Sequence, residues 1–242
     1  MTPDTTPAPD TRAALASGGD AACVVDPERR EALDENETGR IEAFSDGVFA
    51  IAATLLVFNL NVPDLRGLDN GAELWRGLVG DWPSFAAFVI SFLSILIMWS
   101  SHHNIFMLIR KVDHSFLLLN GMVLLGVAAT PFTTQLLATH FGHPGAKVAA
   151  LVYSAVALFI SVAYNGMWRY ASRRRRLLAA TTTEVQVRQV TRQYAIGPAA
   201  YALALVLSFA SATASVLVFV AVVAFFALPT GANRGPGDEP AG

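Results

Sequence analysis

Apolar stretches of membrane-crossing length dominate the chain and leave few folds open to it. Residues 40–61, 83–109, 114–139, 146–170, 190–210 and 213–228 each read as one such stretch, and crossing a hydrocarbon core of roughly 30 Å takes about 20 mostly apolar helical residues. Inside lipid, every backbone N–H and C=O has to find its partner within the protein, which long uninterrupted apolar segments achieve as helices. Across 242 residues, 53% are hydrophobic, 15% are charged and the mean hydropathy is +0.45, a composition that excludes an ordinary soluble domain. The expected fold is all-α and polytopic, with six transmembrane helices.

The last boundary is the least obvious, because residues 196–228 are apolar almost throughout, too long for one comfortable span and short for two. The small and hydroxylated cluster from Ser211 to Ser215 is the expected turn. Basic residues test this count, since Lys and Arg accumulate in short cytoplasmic loops. Six spans place only Arg66, Arg76 and Lys147 outside. Arg12, Arg29, Arg30, Arg40, Arg110, Lys111, Arg169, Arg173 to Arg176, Arg188, Arg192 and Arg234 then fall on the inner side. Both termini are therefore expected in the cytoplasm, with the chain in the cell membrane. The run of four arginines at 173–176 follows a span directly and is read as a topology anchor rather than a nucleic-acid site. No nucleic-acid partner is expected.

The polar ends differ from this core. Residues 1–38, rich in Pro, Thr, Asp, Glu and Ala, read as a disordered cytoplasmic tail without a signal peptide, and residues 229–242 read as a second tail. The membrane-embedded core is thus expected over residues 39–228. Cys23, the single cysteine, lies in the first tail, so no intrachain disulfide can form.

Chemistry concentrates on the first helix. Arg40, Ser45 and Asp46 stand at the mouth of a segment that otherwise runs F-A-I-A-A-T-L-L-V-F-N-L, and ionisable groups at that depth need partners or a function. At about 100° per residue, Ile51, Leu55 and Phe58 share a face that Phe44, Gly47 and Val48 continue, with Thr54 on its border. Asp46 is turned about 140° from Ile51 by the same spacing, toward neighbouring helices. An apolar stripe of this kind serves lipid contact or helix packing in most membrane helices. A ring of such stripes can instead gate an ion path by dewetting.

Arg40, Phe44, Ser45 and Asp46 form Arg-x-x-x-Phe-Ser-Asp, followed by A-I-A-A-T-L-L. Two further blocks follow in order: W-S-S-H-H-N-I-F with Trp99, His102 and Phe106, and K-V-D-H-S-F-L-L-L-N with P-F-T at Pro131 to Thr133. Together they resemble the transmembrane protein 175 family of potassium channels, and the resemblance covers most of residues 40–228. It implies a homotetramer of single-repeat subunits in the bilayer, with the first helix of each subunit lining a path for potassium ions. It also implies a hydrophobic constriction at Ile51 and a contribution of Thr54 to selectivity. Leu55 and Phe58 extend the constriction by spacing, Phe58 being bulkier than an aliphatic side chain. No T-V-G-Y-G run is present, so the filter of carbonyl rings found in other potassium channels is not expected, and no cofactor is needed.

Trp99 and His102 match the family's Trp-x-x-His pattern, and a network joining Asp46 to His102, with Arg40 and Ser45 close by, is expected to fix helix register. His103, Asn104 and Asn120 are further candidates. Asp113 and His114 read as solvated residues of a charged turn, and Pro131 as a break in the third span. An alternative function uses Asp46 and His102 as a proton relay in a transporter or proton-conducting protein. An enzyme is not expected, since H-E-x-x-H, G-x-S-x-G and clustered metal ligands are absent from the sequence.

Overall fold

A computed structural model describes residues 27–60, 71–173, 175 and 177–227. Within them the chain is helical: α1 (Pro27–Leu55), α2 (Gly71–Gly80), α3 (Trp82–Leu108), α4 (His114–His140), α5 (Ala146–Arg173), α6 (Glu184–Ala210) and α7 (Ala212–Ala227). A 3-10 turn, Leu56–Asn59, finishes the first span. Five helical segments are long and apolar enough to cross a bilayer, beginning with Asn36–Asn59 and continuing through α3, α4, α5 and α6. The sixth expected span is α7, which is apolar but has only 16 residues, about 24 Å at the rise of an α-helix.

The first helix starts well before the expected tail boundary at residue 38. Residues 27–39 are polar but rich in Glu and Arg, with Ala32 and Leu33 among them, all good helix formers, so the segment is helical without being apolar. Hydropathy alone cannot detect such an extension. Residues 1–26 and 228–242, which hold Cys23 and the second expected tail, lie outside the described residues.

Layering follows chain order, with α4 packed on α5, α5 on α6, and α1 and α3 both against α4. The inward positions of α4, including Phe116, Asn120, Val123, Val127, Thr130, Thr134 and Leu137, recur at three- and four-residue spacing. That is the stripe a helix needs to face its neighbours. Gly126 permits a close approach of α4 to α5, because a Cβ there would run into the Ile160 side chain. Small residues at such crossings let two backbones meet in a bilayer, where packing rather than water exclusion drives association.

Buried hydroxyls and amides tie the helices together. The Tyr164 hydroxyl donates to the Met98 carbonyl at 2.7 Å, the Trp168 indole donates to Thr191 Oγ1 at 2.8 Å, and Ser154 pairs with Ser215 at 3.0 Å. Pro198 stands inside α6 and has no N–H, so the carbonyl four residues earlier, on Tyr194, loses its helical donor. Asn165 Nδ2 reaches across from α5 and donates to that carbonyl. A proline within a span is tolerated when a neighbouring helix satisfies the freed group in this way. Pro131 likewise lies inside α4, which continues through it.

At one end of the bundle the segment after α5 folds back beside the end of α3. Arg110 N–H donates to the Leu177 carbonyl at 2.8 Å and Ala179 N–H to the Leu108 carbonyl at 2.9 Å. Thr38 of α1 donates to the Arg110 carbonyl at 3.3 Å. Arg175, with a φ of 51°, pairs with Glu184 at 2.8 Å. Asp113 is not merely solvated as expected: its carboxylate accepts from Phe116 N–H at 2.9 Å, capping α4, and from the Tyr170 hydroxyl at 2.7 Å. A carboxylate satisfying the free N–H groups at a helix start stabilises the helix and its macrodipole together.

Candidate functional site

The first span has two unlike faces. Ser45, Phe49, Ala52, Leu56 and Asn59 are buried against the rest of the subunit. Phe44, Ile51, Leu55 and Phe58 are exposed on the other side, with Gly47 and Thr54 among them. The spacing that predicts the Ile51, Leu55 and Phe58 stripe is thus realised, and among the described residues the stripe stays largely uncovered. Thr54 spends its hydroxyl hydrogen on the Ile51 carbonyl at 2.9 Å, leaving its oxygen lone pairs on the exposed face.

At the far end of the span, Asn59 Nδ2 donates to the Pro131 carbonyl at 2.9 Å. One short polar side chain thereby pins the end of the first span to α4. Its register sets which residues of α1 face outward.

The expected polar network forms as two separate clusters. In the buried one, His102 Nε2 lies 2.8 Å from Asn120 Oδ1, Asn120 Nδ2 donates to Ser45 Oγ at 3.0 Å, and Ser45 Oγ–H donates to the Ile41 carbonyl at 2.8 Å. Donors run one way along this chain. Because Asn120 spends its N–H on Ser45, its oxygen faces the imidazole, and His102 must supply the proton from Nε2. The ring packs among Phe106 at 4.5 Å, Phe49 at 5.3 Å and Tyr164 at 6.4 Å between centroids. Its Nδ1 is buried without a hydrogen-bond partner among the described residues.

Nearer the surface, Trp99 Nε1 donates to Asp46 Oδ1 at 3.0 Å, and His103 Nδ1 meets Glu42 Oε1 at 2.8 Å. Trp99 stacks on His103 with centroids 6.1 Å apart. The expected network joining Asp46 to His102 is divided, Asp46 bonding to Trp99 and His102 to Asn120, because consecutive histidines of a helix point about 100° apart. His102 is turned into the bundle and His103 toward the acidic side of α1. Arg40 is exposed and pairs with no described residue, outside both clusters.

Asn120 is the residue that the sequence ranks too low. It joins three helices, yet an asparagine in a long apolar run announces only that it needs partners, not which ones. Glu42 carries no sequence signal beyond standing opposite His103 once α1 and α3 are packed. Among the described residues no group of three or more His, Cys, Asp or Glu side chains is placed to hold a metal ion.

Fold and site together define a multi-pass helical membrane protein whose first span is pinned by internal polar groups on one side and left apolar and bare on the other. A sequence model for "Endosomal/lysosomal potassium channel TMEM175" matches residues 40–131. The chain is 46% identical over 202 residues to a potassium channel of Chamaesiphon minutus, covering 84% of this chain and 99% of that one. It is 42% identical over 178 residues to a potassium channel of Streptomyces collinus, covering 73% and 85% respectively. The crystal structure of a lysosomal potassium-selective channel TMEM175 homolog from Chamaesiphon minutus superposes with a TM-score of 0.73 at 44% identity, covering 82% of this chain and all of that one. The chain belongs to the TMEM175 family.

Proposed function

We propose that the protein is a potassium-permeable channel, not an enzyme, in which four copies surround a path lined by α1 from each. The observation that carries this reading is the bare face of α1. Phe44, Ile51, Leu55 and Phe58 are exposed along a span whose opposite face is packed and hydrogen-bonded. One such stripe cannot enclose a path, so several copies are required. Its membership of a family whose relatives in Chamaesiphon and Streptomyces are named potassium channels supports the choice of ion, and the family resemblance supports the number four.

In this reading Ile51 forms the narrowest apolar ring, extended by Leu55 and Phe58. A potassium ion cannot cross a closed apolar ring, because it would shed its water without gaining replacement oxygens. Opening widens the ring until water enters. Thr54, one residue short of a turn further along, then offers hydroxyl oxygens that replace part of the lost hydration. The Ser45–Asn120–His102 and Asp46–Trp99 clusters hold α1 at the rotation that presents this face. A one-way donor chain that ends on a backbone carbonyl favours such a fixed role for His102 over proton relay.

Both termini are assigned to the cytoplasm and the protein to the cell membrane, with residues 39–228 as the channel domain. The packing of Thr38, Arg110, Leu177 and Ala179 at one end of the bundle supports this orientation. It gathers Arg40, Lys111, Arg173 and Arg175 at one end, where positive charge is retained.

Single-channel recording of the purified protein in planar bilayers tests the proposal. Ile51→Asn is expected to raise conductance several-fold, and Thr54→Ala to move the reversal potential under opposed potassium and sodium gradients toward non-selectivity. Assembled variants with unchanged conductance and reversal potential would remove α1 from the path. Current carried by protons alone would remove potassium from the assignment.

A further inference from the structure

We infer that the subunit carries a second, non-pore site: a groove between α3, α4 and α7 that holds one acyl chain of a membrane phospholipid. The groove encloses about 220 Å³ at the end of the bundle where α3 and α7 begin and α4 ends. Ala86 and Ala87 of α3, Ala138 of α4 and Val220 of α7 line it, and the small alanine side chains are what leave the space open. An apolar cavity of even about 150 Å³ stays dry and takes up an apolar ligand, since water entering it would find too few polar partners.

The polarity of the groove follows its length. Tyr153 contributes its ring to the wall, but its hydroxyl is committed to Ser91 at 2.9 Å, and Ser91 also accepts from Thr134 at 2.8 Å. The interior therefore offers no free hydrogen-bonding group. Thr213, exposed in the first turn of α7, places a hydroxyl at the rim. Trp82 and Phe141 meet edge to face across the same end, with centroids 6.0 Å apart, and aromatic rings gather where hydrocarbon gives way to headgroups. An apolar interior with a polar, aromatic rim fits an amphiphile.

Two observations select a lipid tail over a protein segment. The walls are continuous with the outward, bilayer-facing sides of the spans, where Phe85 and Val89 on α3 and Leu217 and Val220 on α7 are exposed. In addition α7, at 16 residues, falls short of a hydrocarbon core of roughly 30 Å, and a short span draws lipid toward itself. The site rests only on the chain lying in a bilayer and is independent of the pore assignment.

The test uses the full chain in nanodiscs of a phosphatidylcholine brominated along one acyl chain, with bromine located by structure determination. Native mass spectrometry counts the phospholipids retained in parallel. A bromine-marked tail between Ala87 and Val220, and loss of one tightly held lipid per subunit in Ala87→Phe with the assembly intact, are expected. Ala138→Leu fills the groove from the opposite wall and is expected to lose the same lipid, which covers failure of the first variant to assemble. An empty groove, a groove filled by a helix of a neighbouring copy, or lipid counts equal in wild type and both assembled variants would overturn the inference.

Discussion

Phe44 is 68% exposed and the next residue, Ser45, is fully buried. The two faces of the first span thus depart from the sorting seen in water, with serine and asparagine buried beside Phe49, Ala52 and Leu56 while another phenylalanine, an isoleucine and a leucine stay outside. In water, an apolar side chain is buried because leaving it exposed is costly. In lipid that cost vanishes, and what must be buried is a polar group that has found a partner. The packed face of α1 is selected by hydrogen bonding and the bare face by whatever it adjoins. Ile51 at 61% and Phe58 at 76% exposure are therefore free to serve a path, whereas Ser45 is not.

The largest break in this comparison should come from Asn120→Leu, which strands His102 Nε2 and takes from Ser45 the N–H that it accepts, leaving only its bond to the Ile41 carbonyl. Each buried polar group left without a partner costs about 1–3 kcal/mol, so this variant should lose most of its assembled yield in size-exclusion chromatography. Retained yield with unaltered thermal stability would show that the inner face is not held by this chain. The bare face should behave oppositely: Ile51→Asn changes conductance while leaving thermal stability within about 0.5 kcal/mol, as for substitutions away from packed features.

A smaller effect sharpens the rule away from α1. Asn165→Ala should destabilise the protein by about 1–2 kcal/mol, because the Tyr194 carbonyl then has neither a helical nor a side-chain donor. Pro198→Ala returns the missing N–H, so the two substitutions together should cost less than their sum. Strict additivity in that double-mutant cycle would remove Asn165 from the role.

At the rim, Trp99→Phe deletes one partly exposed hydrogen bond to Asp46 and should cost about 1 kcal/mol. Asp46→Asn keeps an acceptor oxygen and should cost less. If Asp46→Asn proves the more damaging in thermal melts, charge rather than hydrogen bonding matters at this position. Smallest of all should be removal of residues 1–26, which precede the helical extension, with conductance and oligomer size unchanged. A shift in elution volume toward a smaller species would make that segment part of the assembly.

The six apolar segments, the break at Ser211 and the outward stripe on α1 are all legible in the sequence, because hydropathy and the 3.6-residue period are local properties of a chain. Local too is the demand that Arg40, Ser45, Asp46, His102 and Asn120 make for partners. Which partners they obtain is not local. Asp46 reaches Trp99 rather than His102, and Asn120 rises from a secondary candidate to the centre of the buried cluster, because helix rotation and depth set which donor meets which acceptor.

The same division covers the helical extension from Pro27, where propensity without hydropathy left a polar stretch looking like a tail. It covers Pro198 as well, since a proline announces a freed carbonyl but cannot name Asn165, 33 positions earlier in the chain, as its donor. By itself the sequence determined that the protein is a helical membrane protein, where its apolar segments lie and which α1 residues share a face. Tertiary structure alone decided the pairing of its polar groups and the shape of the groove beside α7. Hydropathy and helical phase depend on the residue and its neighbours along the chain, whereas a hydrogen bond between helices depends on distances of a few ångströms that only packing fixes.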